Sequence, residues 1–534
     1  MPKGSSAVVI PAAAVGGAGA VLTTVLSAHP LTFRSFAIRF TLLFALASLP
    51  VLLTANLPLY DYPNHLARMY LLDALPTSRS LQLYYAIRWR PLPNLAMDLT
   101  VPWLAGILPL QVAGKLFILA TLFLLTAGPA LLHRVLFGHW SSLPPLAFLL
   151  LYGRILLAGY VNFLFGLGLA FVLFAIWLQL RSRAPKLRLP IATLFVTALY
   201  FAHLEALAIY ALLVIPYEMG VAWQHRLPMT TQLANLTMVG LPFLVPFTIL
   251  LFGVPHLASG SIEFGPLGHK LDLLFAAFDA EDRVLDVACF LAAVAVIAFA
   301  LLRRWLTIAP AMRAPLGAMG IAYLAMPTHL FTAAAADHRL PLAIGLTLVG
   351  SLGWKQATEQ IRVCFTAGAA AMFAVRLGAL LLSWHASDRV YAGQLRVLDA
   401  IPEGSRVAVA SPSIKARITA TNTPIAHIPT LAIIRRGAFV PILHAFPTQQ
   451  PIELTPTARE LADRLQPRDL WSYLVGRRDE IDQAALACYG YVLFVATGES
   501  QVVERGELQP IAAAPGLELY QVASGAHGCG AAKG

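Results

Sequence analysis

Few residues in this sequence can do chemistry, and most of them interrupt apolar surroundings. Asp61 stands in LPLYDYPNHLARMYLL, residues 57–72, just after the first long apolar run. A carboxylate there could reach into a cavity at the outer surface. Pro63 can open a helix but not sit inside one, and Asn64 is a good N-cap. A helix is therefore expected from that point, with Leu66, Met69, Tyr70 and Leu72 for an apolar face and with His65 and Arg68 sharing another. The plainer reading is that Asp61 and Asn64 only cap an interfacial helix. Arg154 breaks the run LLYGRILL, and Arg339 precedes another run in AADHRLP. Either guanidinium could hold an anion, but Arg339 could also simply snorkel at the interface, and Arg154 could lie in a loop. His203 and Glu205, in FAHLEAL, are either a polar pair facing an outer cavity or a polar turn between two spans. Asp98, Asn162 and His338 complete the set of binding candidates. His65 and His338 could join Asp61 around a divalent ion; that reading is not favoured, and no metal ligands are assigned.

The 534 residues carry 38 Lys and Arg against 27 Asp and Glu, a formal charge of +11. Only 12% are charged and 58% are hydrophobic, with a mean hydropathy of +0.70. A single water-soluble globule cannot hide that much apolar surface, and a disordered chain would not contain it. The class is an α-helical polytopic membrane protein. The basic excess then reports loop orientation rather than a nucleic-acid partner. Of the four cysteines, Cys289 and Cys364 fall in apolar runs, while Cys488 and Cys529 could pair if their segment is extracytoplasmic. With no CxxC or Cys/His cluster, a structural zinc site is not expected.

Residues 1–35 read as a weakly ordered tail, with a signal helix over 7–27 as the alternative. Eleven spans follow, at 36–56, 115–133, 143–159, 162–180, 189–204, 205–223, 234–254, 285–303, 315–333, 340–356 and 363–384. With the tail inside, clustered Lys and Arg at the span ends fall on one side, as the positive-inside rule requires. The other side then receives the long first loop 57–114, the loop 255–284, Asp61, Asp98, Asn162, His203, Glu205 and Arg339. Polar groups from distant segments gathered there are what a cavity at the outer surface would need. A second amphipathic stretch is expected at 81–98. The loop 255–284 is a candidate lid or a plain linker, its second half, 269–282, an interfacial helix.

Composition changes near residue 384. Segments 405–410, 430–434, 439–444, 489–495 and 517–522 read as short strands, and 457–466 and 468–486 as helices. Residues 385–534 are thus expected to form a soluble α/β domain, extracytoplasmic after eleven spans, and without a nucleotide motif.

A single first span, a long outer loop with two amphipathic stretches, an acid just beyond the first span and a C-terminal outer domain resemble the GT-C class of membrane glycosyltransferases. The resemblance covers 36–384 and the terminal domain, with Asp61 at the position of the class's essential acid. Tyr62 stands where many members have a second acid, which speaks against metal dependence. The resemblance implies sugar transfer from a polyprenyl-phosphate donor to a cell-envelope acceptor at the outer face of a bacterial-type cytoplasmic membrane. Asp61 would be the base and Arg339 or Arg154 the phosphate ligand, with the lipid-linked donor and membrane lipids as partners. A transporter or flippase of lipid-linked glycans and a non-catalytic assembly subunit are the competing readings.

Overall fold

The computed structural model describes residues 30–253, 261–331, 333–412, 427–496, 501–503 and 505–523. The stretch 7–27 and Cys529 lie outside the described residues, as does the first part of the loop expected as a lid. The chain is mostly helical. Among the described residues, seven helical segments are long and apolar enough to cross a membrane, which makes this a polytopic membrane protein. They are Phe33–Leu53, Leu110–Phe137, Val161–Arg183, Leu204–Gln224, Met229–Gly253, Arg283–Leu302 and Glu359–Asp399. Several start on side-chain caps: Asp282, for example, accepts from the backbone N–H of Val284 and Leu285, both at 3.0 Å.

Four expected spans take other forms. Residues 143–159 fold as a 3₁₀ helix, Pro144–Leu150, and one further turn, Arg154–Leu157. Two prolines and Gly153 prevent a continuous α-helix, and nearly every side chain of the stretch is buried within the bundle. Irregular backbone is tolerable at membrane depth when protein surrounds it. The span expected at 189–204 lies in Pro185–Ala202, with Lys186 and Arg188 near its start. Those expected at 315–333 and 340–356 shorten to Arg313–Ala325 and Leu340–Ser351. Met326 turns extended before Pro327, as a residue preceding proline prefers.

Contacts distinguish the two ends of the bundle. At one end Leu31 pairs with Trp140, Trp354 donates to Ser142 at 3.3 Å, and Leu306–Ile308 pairs antiparallel with Leu352–Trp354. At the other, the N–H of Tyr60 meets the carbonyl of Leu157 at 2.8 Å, Leu95 meets Phe201 at 2.7 Å, and Thr328 meets Glu263 at 2.8 Å.

A second hydrophobic core lies beyond that second end. Its four-stranded sheet runs in the order Leu508–Ala514, Leu517–Val522, Tyr491–Val495, Val407–Ala410, with only the last pair parallel. The helix Tyr62–Ala74 is wedged between the cores, giving Leu66 and Met69 to one and Ala67 and Leu71 to the other. The change of composition near residue 384 falls inside one 41-residue helix, Glu359–Asp399. Trp384 packs in the bundle core, and Tyr391, Val397 and Leu398 in the outer one.

Other local expectations shift. Residues 430–434 are helical, within Leu431–Arg436, which Gly437 ends in the left-handed conformation at φ +57°. Residues 439–444 contribute one bridge, Arg406 to Phe439. Short apolar runs do not reveal their own period. The stretch 81–98 holds a strand, Tyr85–Ile87, paired with Ile452–Leu454, and only the start of the helix Ala96–Ala105; Pro91 and Pro93 separate them. The helix expected at 269–282 is confined to Leu267–Leu273.

Candidate functional site

Asp61 is held by its backbone. After Phe33–Leu53 ends, Asp388 of the long helix accepts the N–H groups of Ala55 and Asn56, both at 3.1 Å. The chain then lies along residues 157–159, with the N–H of Asp61 3.2 Å from the carbonyl of Ala158. Gly159 makes this approach possible. Its φ is +84°, and a Cβ there would lie 2.7 Å from the Asp61 nitrogen. Gly159→Ala is therefore expected to cost about 1–3 kcal/mol and to displace Asp61. Thermal unfolding in detergent reads the effect; a melting temperature within about 1 °C of wild type would mean that the backbone has room.

Asp61 occupies the N-cap position of Tyr62–Ala74, yet its carboxylate makes no capping hydrogen bond. Asn64, expected to cap, sits inside the helix and spends its amide on the C-terminal segment. Its Oδ1 accepts the N–H of His444 at 2.8 Å and its Nδ2 meets His427 Nδ1 at 2.7 Å. The amide orientation is thereby fixed. His427 Nδ1 must accept, so a neutral His427 carries its proton on Nε2, 3.4 Å from Asp61 Oδ1. A metal between Asp61 and His427 would need that Nε2 lone pair, so Asn64 opposes one there. His444 completes the group, and the rings of His427 and His444 meet edge to face at 5.0 Å.

The Asp61 side chain keeps 14% of its surface exposed, enough to be reached from outside. Burial pushes its carboxyl up to about 7, against the pull of Arg339 and Arg68. Burial also holds His427 well below its ordinary value, with His444 adding to the effect, and brings His444 down to about 4. At neutral pH Asp61 is thus a half-ionised acid beneath two uncharged imidazoles.

The other expected residues divide into two groups. Arg68 and Asp98 form a fully buried pair, Nε to Oδ1 at 2.6 Å and Nη2 to Oδ2 at 3.0 Å. His65 bridges Arg68 Nη2 at 3.0 Å and the carbonyl of Gly159 at 3.2 Å. Both of its nitrogens are spent, so it cannot also bind a metal beside Asp61. Asn162 holds the turn before Asp98, accepting from Met97 N at 2.9 Å and donating to Asn94 O at 2.7 Å. Arg339 is paired with Glu205 and lies over the rings of Tyr160, at 4.5 Å, and Phe163, at 5.5 Å. His203 caps the following helix by accepting the N–H of Glu205 at 3.1 Å. Arg154 and His338 belong elsewhere. Arg154 donates to Asp279 at 2.7 Å and to Asp272 at 3.0 Å, and His338 faces His269 at 3.3 Å. The two carboxylates engage Arg154, so it does not serve Asp61.

No family model matches the chain, and no curated protein does. Geometry alone carries the chemistry. Two guanidinium groups act on Asp61, and each keeps one buried nitrogen without a hydrogen-bond partner among the described residues: Nη1 of Arg68 and Nε of Arg339. Buried donors are normally satisfied, and an anionic oxygen would satisfy these. A proton acceptor tuned near neutrality beside unspent cationic donors suits reactions in which an acceptor loses a proton while an anion departs.

Sequence reasoning missed His427 and His444, and took Asn64 for a cap. His427 and His444 lie more than 360 residues after Asp61, in short apolar stretches, AHIPT and ILHAF, where a lone histidine reads as a loop residue.

Proposed function

We propose that this chain is a GT-C-type membrane glycosyltransferase that moves a sugar from a polyprenyl-phosphate donor to a cell-envelope acceptor. The observation that carries the proposal is Asp61: a reachable carboxylate, free of capping duty, raised to about 7 by burial, in the field of two incompletely used arginines. In the reaction the acceptor oxygen or nitrogen attacks the anomeric carbon, its proton passes to Asp61, and the bond to the phosphate breaks with the electron pair leaving on the lipid phosphate. Arg339 and Arg68 would meet the charge that develops.

The fold reading that goes with this has eleven crossings, the C-terminal domain outside, and the chain in a bacterial-type cytoplasmic membrane. Alternation of segment ends between the two ends of the bundle supports that count, with 143–159 crossing as broken helix and two others as short ones. The clustering of Lys and Arg at the opposite end from Asp61 supports the orientation.

Two measurements test the proposal. Reporter fusions after residues 100 and 400 should both signal the extracytoplasmic side; a cytoplasmic signal from the second removes the eleven-span reading. Purified protein in detergent, given a polyprenyl-phosphate sugar, should release polyprenyl phosphate by transfer or slow hydrolysis. Movement of the donor across a vesicle membrane without bond cleavage would instead favour a transporter.

A further inference from the structure

We propose that His269, His338 and Asp337 form a binding site for a first-row divalent cation, Zn²⁺ by preference, separate from the Asp61 group. The two imidazoles present their Nε2 atoms to each other at 3.3 Å. Two nitrogens bound to one tetrahedral ion at about 2.0–2.1 Å lie about 3.3–3.4 Å apart, so that gap is the size a shared metal requires. A ring-to-ring hydrogen bond would also bring them close, but it leaves a second feature unexplained. Asp337 is fully buried, and its Oδ1 has no hydrogen-bond partner among the described residues. That oxygen lies 3.9 Å from His338 Nε2. A closure of about half an ångström gives the ligand spacing of a tetrahedral site. All three ligand atoms lie within 4.8 Å of one another.

The surroundings are built as metal surroundings are. A ligating carboxylate needs its other oxygen held, and Asp337 Oδ2 accepts from Lys270 Nζ at 2.7 Å and Thr328 Oγ1 at 3.0 Å. Lys270 is itself fixed by the carbonyls of Met326, at 2.5 Å, and Tyr323, at 3.3 Å. The segments that bring the ligands are tied independently of any ion, by the pairing of Ser261–Glu263 with His329–Phe331. Nearby Arg154 is matched by Asp272 and Asp279, and Arg339 by Glu205, so repulsion on an incoming dication is muted. Two nitrogens and one carboxylate are the ligand set of zinc sites with an open fourth position. His338 keeps 20% of its side chain exposed, so water or an oxyanion can reach that position.

The test is metal binding, not activity. Full-length protein in detergent, stripped with a chelator and titrated with Zn²⁺ against a fluorescent competitor, should take up about one equivalent per chain. His269→Ala and His338→Ala should each weaken binding at least ~100-fold, and Thr328→Val about 10-fold through the carboxylate it holds. His444→Ala should leave affinity unchanged. Co²⁺ added to the unmutated protein should give the intense visible absorption of a tetrahedral ion, a readout that needs no variant to fold. No stoichiometric uptake, affinity indifferent to both His269→Ala and His338→Ala, loss of the ion in His444→Ala, or a weak octahedral Co²⁺ spectrum would each overturn the proposal.

Discussion

Asp61→Asn is expected to abolish sugar transfer in a protein that folds normally. Asparagine keeps the size of the side chain, and the carboxylate has no capping bond to lose. What disappears is the ability to accept a proton, a change worth about 10²–10⁴ in rate for a general base. Donor binding should survive, because Arg68 and Arg339 are untouched. Asp61→Glu should recover little, since an added methylene moves the carboxylate off its line of attack. The working form of a base is its ionised form, so if Asp61 is the base of the proposed transfer, kcat/KM of the unmutated protein should rise with pH, about tenfold per unit below about 7, and level off above it. Transfer by the asparagine variant within a few-fold of wild type, or a profile flat through pH 7, would remove Asp61 from the chemistry.

Asp98→Ala should be the most destabilising single change near the site. Arg68 and Asp98 have no exposed side-chain surface, and the variant would strand a buried guanidinium without its carboxylate. Breaking a buried pair from one side costs about 3–5 kcal/mol. Arg68 also orients His65, which touches the Gly159 carbonyl beside Asp61, so the damage should spread to the segment that holds Asp61. Unfolding in detergent measures the loss. A double variant with Arg68→Met and Asp98→Leu should be more stable than Asp98→Ala alone, because no charge is then left unpaired; equal stability of the two would show that solvent reaches Arg68 after all.

Much of the site was legible because ionisable residues are costly beside long apolar runs. That reasoning alone selects Asp61, Arg68, Asp98, His203, Glu205 and Arg339, and these converge. It also selects Arg154, for the right reason and with the wrong partner: the cost of its charge is met by Asp272 and Asp279, and no local pattern reveals a contact made more than a hundred residues away. His427 and His444 escape for the same cause. They matter only because Asn64 reaches across from the opposite part of the chain. The broken segment 143–159 illustrates a different limit. Hydropathy reports that a stretch can lie in the membrane, whereas protein packed around it decides whether it must be a helix. The long helix hid the domain boundary, since a change of composition need not be a change of backbone.

That 41-residue helix is about 60 Å long, roughly twice the thickness of a hydrocarbon core. Its inner half is a membrane helix and its outer half is the spine of the terminal domain. Between the two, Asp388 clamps the strand that leads from the first helix to Asp61. Among the described residues, the approach to Asp61 and the helix that follows His427 both rest on this one girder. When lipids of another thickness tilt the girder, the two swing together, and the spacing between Asp61 and His427 is preserved while the whole assembly changes its height above the bilayer.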